Sequence, residues 1–202
     1  LSALRSIALF DEFKELTPTG EQGDKMIQKL ADRLAQVDLL DRAAKLLANQ
    51  VDFRLKGLEK ARVGARLATV YLVNKQPALA EEAVANSEVK EEIPPYLVVQ
   101  RRQLMARSLI DQGRENKALS LLDADKTRYA DLLRAEVYWK SRKWAAASRV
   151  FRRLVTSFGG KGIKAASEYR MQPREGSLAN FYQSAAYVWR EIPVPVIAAL
   201  HG

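Results

Sequence analysis

The sequence predicts an all-α protein built from about four pairs of helices, with a further helix at each end. Apolar residues recur every three or four positions in nearly every segment, which is the spacing of one face of an α-helix. A second spacing also recurs: four times, an alanine is followed twelve positions later by another alanine, each close to a large apolar or aromatic residue. The chain has 202 residues, of which 48% are apolar, so it is long enough to bury a core as a single domain over 1–202.

The first part of the chain is predicted to hold an N-terminal helix and the first helix pair. The N-terminal helix covers residues 1–15. It is expected to end there, because Thr17, Pro18 and Gly20 follow it and break helical structure. The first pair covers about 24–54, with its second helix predicted over 38–53. Asp38 is expected to be the N-cap of that helix, because its carboxylate can accept hydrogen bonds from the free N–H groups of a first turn.

Three further pairs follow, over about 58–87, 96–123 and 128–155. Pro77 suits the first position of a helix, where its missing N–H leaves no hydrogen bond unmade. Gly113 is expected to end another helix, because glycine adopts the left-handed backbone conformation that often follows a last turn. These residues therefore predict where the second and third pairs turn.

The C-terminal part of the chain is less regular. Residues 157–164 (SFGGKGIK) resemble a phosphate-binding loop, but they lack its G-xxxx-GK-S/T spacing and follow no predicted strand, so a plain loop is expected. A final helix over about 177–190 carries an apolar stripe and is expected to cap the open end of the array.

The recurring alanines are the main feature of the repeat. In the first helices they are Ala31, Ala68, Ala106 and Ala135, and in the second helices they are Ala43, Ala80, Ala118 and Ala147. Their large neighbours are Leu34, Tyr71, Leu109 and Tyr138 in the first helices, and Leu47, Val84, Leu122 and Phe151 in the second. Small residues let two helices approach closely, and large residues one turn away fill the space beside the contact. The alanines are therefore predicted to lie where helices cross.

This pattern resembles the tetratricopeptide repeat over about residues 24–155, and it is similar to the terminal repeat region of long bacterial proteins of that family. The resemblance implies a right-handed α-α superhelix, a solenoid in which each helix pair shares its core with its neighbours. Successive repeats lie 37, 38 and 29 residues apart, against about 34 in the family. The sequence departs from the family in having alanine at the first small position, where glycine is common, and in lacking the closing proline except loosely at Pro94. An unrelated helical bundle is the alternative.

The resemblance also implies that the first helix of each pair lines a concave groove that binds a peptide or helix of a partner protein. The positions that it assigns to the groove are Gln28, Asp32, Arg62, Ala65, Thr69, Gln100, Gln103, Arg107, Tyr129, Leu132, Glu136 and Trp139. Arginine, tyrosine and tryptophan are the side chains that most often anchor protein interfaces. The Lys/Asn set with which some family members bind a chaperone's C-terminal carboxylate is not found at these positions.

The net charge of +9 comes from one part of the chain. Residues 126–174 hold thirteen Lys and Arg against three acidic residues, and 13 − 3 gives +10. Within this window a basic patch is predicted on the second helix of the last pair: Arg142, Lys143, Arg149, Arg152 and Arg153. Such a patch favours acidic protein partners. The alternative is direct binding of nucleic acid or of an anionic membrane surface.

The sequence predicts neither catalysis nor a bound cofactor or metal. The chain has no cysteine and one histidine, His201 in the tail, so thiolate metal sites and histidine-based catalytic groups are excluded from the array. No apolar run reaches the roughly 18–20 residues of a membrane span. The cytoplasm is the favoured compartment, with the periplasm as the alternative if the chain belongs to a longer envelope protein. The start at Leu1 rather than methionine suggests a fragment or a processed product.

Overall fold

The structure, a computed structural model, describes residues 20–158, and over this range the chain forms α-helices and no strand. The helices are α1 (Glu21–Gln36), α2 (Leu40–Asn49), α3 (Gly57–Val73), α4 (Pro77–Asn86), α5 (Pro95–Asp111), α6 (Glu115–Leu122), α7 (Arg128–Lys140) and α8 (Trp144–Phe158). The all-α prediction is therefore confirmed for this part of the chain. The predicted helices at 1–15 and 177–190, His201, and all but the first two residues of the loop 157–164 lie outside the described residues.

Each helix packs against the next helix along the chain, from α1 on α2 to α6 on α7. The first helices of neighbouring pairs also contact one another, since α3 packs on α5 and α5 packs on α7. Buried side chains of α7 and α8 form a further apolar cluster, which includes Ala135, Val150 and Leu154. The first helices of the second, third and fourth pairs therefore lie side by side.

The eight alanines of the repeat are all buried, and none is more than 2% exposed. Their large neighbours Leu34, Leu47, Leu109 and Leu122 are buried as well, whereas Tyr71, Tyr138 and Phe151 are partly buried at the edges of the same clusters. The alanine spacing therefore correctly predicted which face of each helix meets its neighbours.

The turn inside each pair has one geometry, repeated four times. A residue with positive φ lies seven positions after the alanine of each first helix: Asp38 (62°), Lys75 (58°), Gly113 (73°) and Arg142 (55°). The next residue in each turn donates its backbone N–H to the carbonyl oxygen five positions earlier, as Leu39 does to Leu34 at 2.9 Å and Lys143 does to Tyr138 at 2.8 Å. This hydrogen bond pairs a carbonyl that would otherwise be left free at the helix end.

The prediction that Asp38 caps α2 is wrong, because this residue is the left-handed residue of the turn. Leu39 occupies the N-cap position and makes no side-chain cap hydrogen bond. The predictions for Gly113 and Pro77 are confirmed: Gly113 has positive φ, and Pro77 lies in the first turn of α4.

Helix α2 ends earlier than predicted, at Asn49, and continues as a π-helical turn over Gln50–Arg54. The wider turn brings two side chains to one carboxylate of α1. Gln50 Nε2 lies 3.3 Å and Arg54 Nε 2.8 Å from Asp24 Oδ1. Gln50 also donates to the backbone oxygen of Asp24 at 3.0 Å, so the π-turn ties the end of the first pair back to its beginning.

Neighbouring pairs are joined by a hydrogen bond that recurs at equivalent positions. The donor is the side chain six residues after the alanine of a first helix, and the acceptor is an acidic residue near the start of the preceding second helix. The three bonds are Asn74 Nδ2 to Asp41 Oδ1 at 2.7 Å, Gln112 Nε2 to Glu81 Oε2 at 2.8 Å, and Ser141 Oγ to Glu115 Oε2 at 3.4 Å. We call this contact the pair link. It sets each turn against the second helix of the pair before it.

A buried arginine closes the junction between α3, α4 and α5. Arg101 donates to the backbone oxygens of Ala61 (2.8 Å) and Val84 (2.7 Å) and to Ser87 Oγ (2.9 Å). Gly64 makes room for this arrangement, because a Cβ at this position would lie 1.9 Å from Ser87 Oγ. Only glycine fits here, since a contact this short would force the helices apart.

Candidate functional site

The positions that the resemblance assigns to a groove lie on α1, α3, α5 and α7, the four first helices. Residues from neighbouring first helices contact one another at several points along these helices. Some positions, however, are buried or are committed to contacts within the fold. The surface available to a partner is therefore smaller than the full set of assigned positions.

Two ion pairs connect successive first helices. Arg66 of α3 pairs with Asp32 of α1, and Arg107 Nη1 of α5 lies 2.6 Å from Glu136 Oε2 of α7. Arg107 also donates to Asp111, with 3.0 Å between Nε and Oδ2. Burial opposes the charge on Arg107, but Glu136 and Asp111 outweigh it and raise the pKa of the guanidinium. Two of the assigned groove residues, Arg107 and Glu136, thus neutralise each other.

Other positions assigned to the groove hydrogen-bond within their own helix or pack against neighbouring helices. The Thr69 hydroxyl donates to the backbone oxygen of Ala65 at 3.0 Å, and Ala65 itself is buried in a cluster with Leu97. Trp139 packs edge-on against two aromatic rings of α8, with ring centroids 5.1 Å from Trp144 and 6.2 Å from Phe151. Trp139 therefore helps to hold α7 and α8 together.

A shallow cleft of about 420 Å³ opens between the N-terminal ends of α5 and α7. Its lining consists of Pro95, Tyr96, Val99, Gln100, Gln103, Thr127 and Tyr129. Three of these, Gln100, Gln103 and Tyr129, are positions that the resemblance assigns to the groove. Two tyrosines stand in the solvent at the cleft, Tyr96 at 60% and Tyr129 at 42% exposure. The structure therefore brings part of the expected groove together as an aromatic-lined cleft.

One side of the cleft is fixed by a small hydrogen-bond network. Gln103 Nε2 donates to Asp125 Oδ2 and to Thr127 Oγ1, both at 2.8 Å. Thr127 in turn caps α7, since its hydroxyl oxygen accepts from the backbone N–H of Ala130. Burial would raise the pKa of Asp125, but the hydrogen bonds from Gln103 and Thr127 outweigh it and lower that pKa. Gln103 is therefore held in place, whereas the exposed Gln100 is available to a ligand.

The charges beside the cleft are also paired. Arg62 is exposed and forms an ion pair with Glu59 one turn before it. A hydrogen bond with the Tyr96 side chain, followed by the Glu59 carboxylate, raises the pKa of Arg62. Burial raises the pKa of Tyr129, against the opposing effect of Arg107. No acidic or basic residue is among those that line the cleft, and the charge of Arg62 beside it is already paired.

Four residues line the cleft although the resemblance does not assign them to the groove: Pro95, Tyr96, Val99 and Thr127. A signal for Tyr96 and Val99 was present, since Val99 lies about one helical turn and Tyr96 about two turns before Gln103 on the same side of α5. Pro95 and Thr127 lie in the first turn or cap of their helices, and they line the cleft only because two helix ends meet there.

The predicted basic patch divides into two groups. Arg142, Lys143, Arg149 and Arg152 are exposed. Arg153 is exposed as well, but it also pairs with the buried Asp131 of α7, with 2.6 Å between Nε and Oδ2. Arg134 pairs with the same carboxylate at 2.6 Å. Burial would raise the pKa of Asp131, but Arg153 and Arg134 outweigh it and hold that pKa below its ordinary value.

Neither a metal-binding group nor a membrane-spanning helix is found within residues 20–158. No group of three or more histidine, cysteine or acidic residues in this range could hold a metal ion. In the same range, each helix is too short or too polar to span a lipid bilayer.

Comparison of the chain with models of known families, with curated proteins and with solved structures finds no match. The function must therefore be inferred from the residues of the fold itself.

Proposed function

We propose that this chain is a non-catalytic scaffold for protein–protein interaction, with the architecture of a tetratricopeptide-like right-handed superhelix. Four helix pairs with the same alanine spacing and the same internal turn support this architecture. The lateral contacts of α3 with α5 and of α5 with α7 are those that a solenoid requires, because each repeat then buries its apolar face on its neighbours.

The proposed binding surface is the cleft between α5 and α7, and its two exposed tyrosines are the observation that carries the proposal. A tyrosine that stands in water exposes a large apolar ring, and covering such a ring stabilises a complex at little entropic cost. The cleft is lined almost wholly by apolar groups, with the amide of Gln100 beside them. This combination suits an apolar anchor residue whose adjacent backbone hydrogen-bonds to an amide.

The proposed partner is an extended peptide or a helix of another protein that inserts an uncharged side chain between Tyr96 and Tyr129. A charged anchor is disfavoured, because Arg62 and Arg107 already have carboxylate partners and a new charge would have to replace them. The first helices on either side extend the surface along which the rest of a partner segment can lie.

Selection from a random peptide display library against the full chain tests this proposal. The selected peptides are expected to bind the Tyr96→Ser/Tyr129→Ser variant at least about tenfold more weakly, because both anchor contacts are lost. Phe53→Ser is the matched control, since Phe53 is an aromatic residue at 81% exposure that is not part of the cleft lining. Peptides that bind all three proteins equally, or a selection that yields no binder, would refute the cleft as the binding surface.

A further inference from the structure

The exposed face of α8 carries a positive charge that nothing in the described fold neutralises. No acidic residue occurs between Glu136 and Glu168, whereas residues 137–158 include Lys140, Arg142, Lys143, Arg149, Arg152 and Arg153. Lys140 pairs with Glu136, and Arg153 pairs with Asp131. The other four form no ion pair within residues 20–158.

Three arginines of the first helices, in contrast, are paired with carboxylates. Arg62, Arg66 and Arg107 each have a carboxylate partner at hydrogen-bond distance. Single arginines elsewhere in residues 20–158, such as Arg33, Arg42 and Arg102, also form no ion pair. What distinguishes α8 and the turn before it is that four such cations are clustered in a segment with no acidic residue. An unpaired cation on a surface attracts anions, and Arg149 and Arg152 reinforce each other because they lie about one helical turn apart.

Two apolar side chains stand in the solvent on the same helix. Trp144 is 54% and Val155 is 68% exposed. They are eleven residues apart, which is about three helical turns, so they lie along one side of the arginine strip. Trp144 is also held edge-on by Trp139, with a 5.1 Å distance between ring centroids, so its exposed part has a fixed orientation.

We propose that this face of α8 binds an anionic lipid surface. The four unpaired cations contact the headgroup phosphates and carboxylates, while Trp144 and Val155 enter the boundary between headgroups and acyl chains. The adjacent apolar residues favour lipid over nucleic acid, because an exposed valine gains nothing from a phosphate backbone. Protein grooves that bind single-stranded nucleic acid present several aromatic side chains for stacking on bases. Within residues 144–156 of α8, Trp144 is the one exposed aromatic residue.

The test is flotation of the full chain with vesicles of phosphatidylcholine containing about one-third phosphatidylserine, compared with pure phosphatidylcholine. We expect binding to the anionic vesicles only. Arg149→Glu/Arg152→Glu should lower the bound fraction at least about tenfold, since each basic residue contributes to attraction at an anionic surface. Lys29→Glu/Lys45→Glu makes the same change in net charge at exposed positions of α1 and α2, and it should retain binding within about twofold because it leaves the four cations of the α8 surface in place.

The apolar contribution is tested separately. Val155→Ser should weaken vesicle binding several-fold without affecting the fold, because this side chain is mostly in solvent. Tyr96→Ser/Tyr129→Ser should bind vesicles like the wild type, which separates this surface from the cleft. Equal binding to duplex DNA or polyglutamate, with no effect of Val155→Ser, would reduce α8 to a general polyanion surface and overturn the lipid assignment. Unchanged vesicle binding by Arg149→Glu/Arg152→Glu would overturn it as well.

Discussion

At two junctions between helix pairs, an arginine hydrogen-bonds to backbone carbonyl oxygens at a helix end, but the charge of that arginine is balanced in different ways. Where α4 meets α5, Arg101 donates to the backbone oxygen of Val84 near the end of α4. Where α6 meets α7, Arg134 donates to the backbone oxygen of Leu122, the last residue of α6, and to that of Asp125 beyond it. In both places, an arginine from the next first helix pairs carbonyls that a helix end leaves without partners.

The two arginines differ in what balances their charge. Arg101 is buried, burial lowers its pKa, and its hydrogen bonds go to two carbonyl oxygens and a hydroxyl. Arg134 pairs with the buried carboxylate of Asp131, which Arg153 of α8 also contacts. The hydrogen bonds of the first junction therefore go to dipoles, and Glu88 acts on Arg101 through its charge and not through a hydrogen bond. The second junction includes a hydrogen-bonded carboxylate that acid can protonate. The comparison shows that the carbonyl oxygens of a helix end can be paired with or without a carboxylate in direct contact with the arginine.

The largest effect is expected for Arg101→Met. The methionine fills much of the space but removes the charged donor from the buried carbonyl oxygens of Ala61 and Val84 and from Ser87 Oγ, which costs about 3 kcal/mol of unfolding free energy. Chemical denaturation at several pH values measures this loss. The loss should be the same from pH 3 to pH 8, because a guanidinium keeps its charge over that range. A loss that disappears in acid would show that a carboxylate supports Arg101 after all.

A smaller effect, dependent on pH, is expected for Asp131→Asn. The folded state lowers the pKa of Asp131 from its ordinary value of 3.8, so the carboxylate stabilises the fold above that pH and stops doing so as the pH falls through the folded pKa. The variant should lose about 2 kcal/mol at pH 7 and approach the wild type only as the pH falls below 3.8 and through the folded pKa. Denaturation of both proteins across this range provides the check, and a gap that stays constant into acid would contradict the assigned role of Asp131.

The left-handed turn residues should change stability by about 1 kcal/mol or less, in opposite directions. Gly113→Ala introduces a side chain at positive φ and should lose about 1 kcal/mol, although a Cβ there meets no neighbouring atom. Lys75→Gly removes the same strain and should gain about 0.5 kcal/mol. Thermal unfolding measures both changes. Gln76→Gly is the control, because Gln76 has negative φ and should lose stability on substitution.

The smallest effect is expected for the pair link. Gln112→Ala removes the hydrogen bond to Glu81 and should lose about 0.5–1 kcal/mol. The same substitution should raise the Glu81 pKa toward its ordinary value, because the hydrogen bond from Gln112 is the main cause of its lowering. Gln100→Ala, at an exposed position of α5, should change stability by less than about 0.5 kcal/mol. NMR titration of Glu81 gives a second measure, and a pKa that does not move would argue against the link.

The alanine spacing correctly predicted the buried face of each helix, because residues on one face of a helix recur at a fixed period along the sequence. Burial of an alanine such as Ala68 or Ala118 follows from where it lies on a helix, and helical position can be counted along a sequence. The N-cap prediction for Asp38 failed for a related reason: aspartate is favoured both at N-caps and in left-handed turns, and only comparison with Lys75, Gly113 and Arg142 shows which applies.

The polar interior could not be read from the sequence. Arg101 is buried and its neighbour Arg102 is not, yet both are arginines in the same helix and no periodic signal separates their roles. Which of them meets the end of α4 depends on how α5 is rotated against α3 and α4. Gly64 and the π-turn at Gln50 are similar cases, since Gly64 is required by its close contact with Ser87 and the π-turn brings Gln50 to Asp24. The cleft depends in the same way on how the ends of α5 and α7 meet.

The pair link also bears on how a protein of this kind could gain further helix pairs. The α3–α4 pair carries both halves of the contact, with Asn74 as the donor toward the preceding pair and Glu81 as the acceptor for the following one. A tandem duplication of this segment would therefore give two copies whose facing ends already match. The first turn of α8 offers no acidic acceptor, so an identical module inserted after it would lack its mate. Lengthening by gene duplication is thus favoured within the array and disfavoured directly after α8.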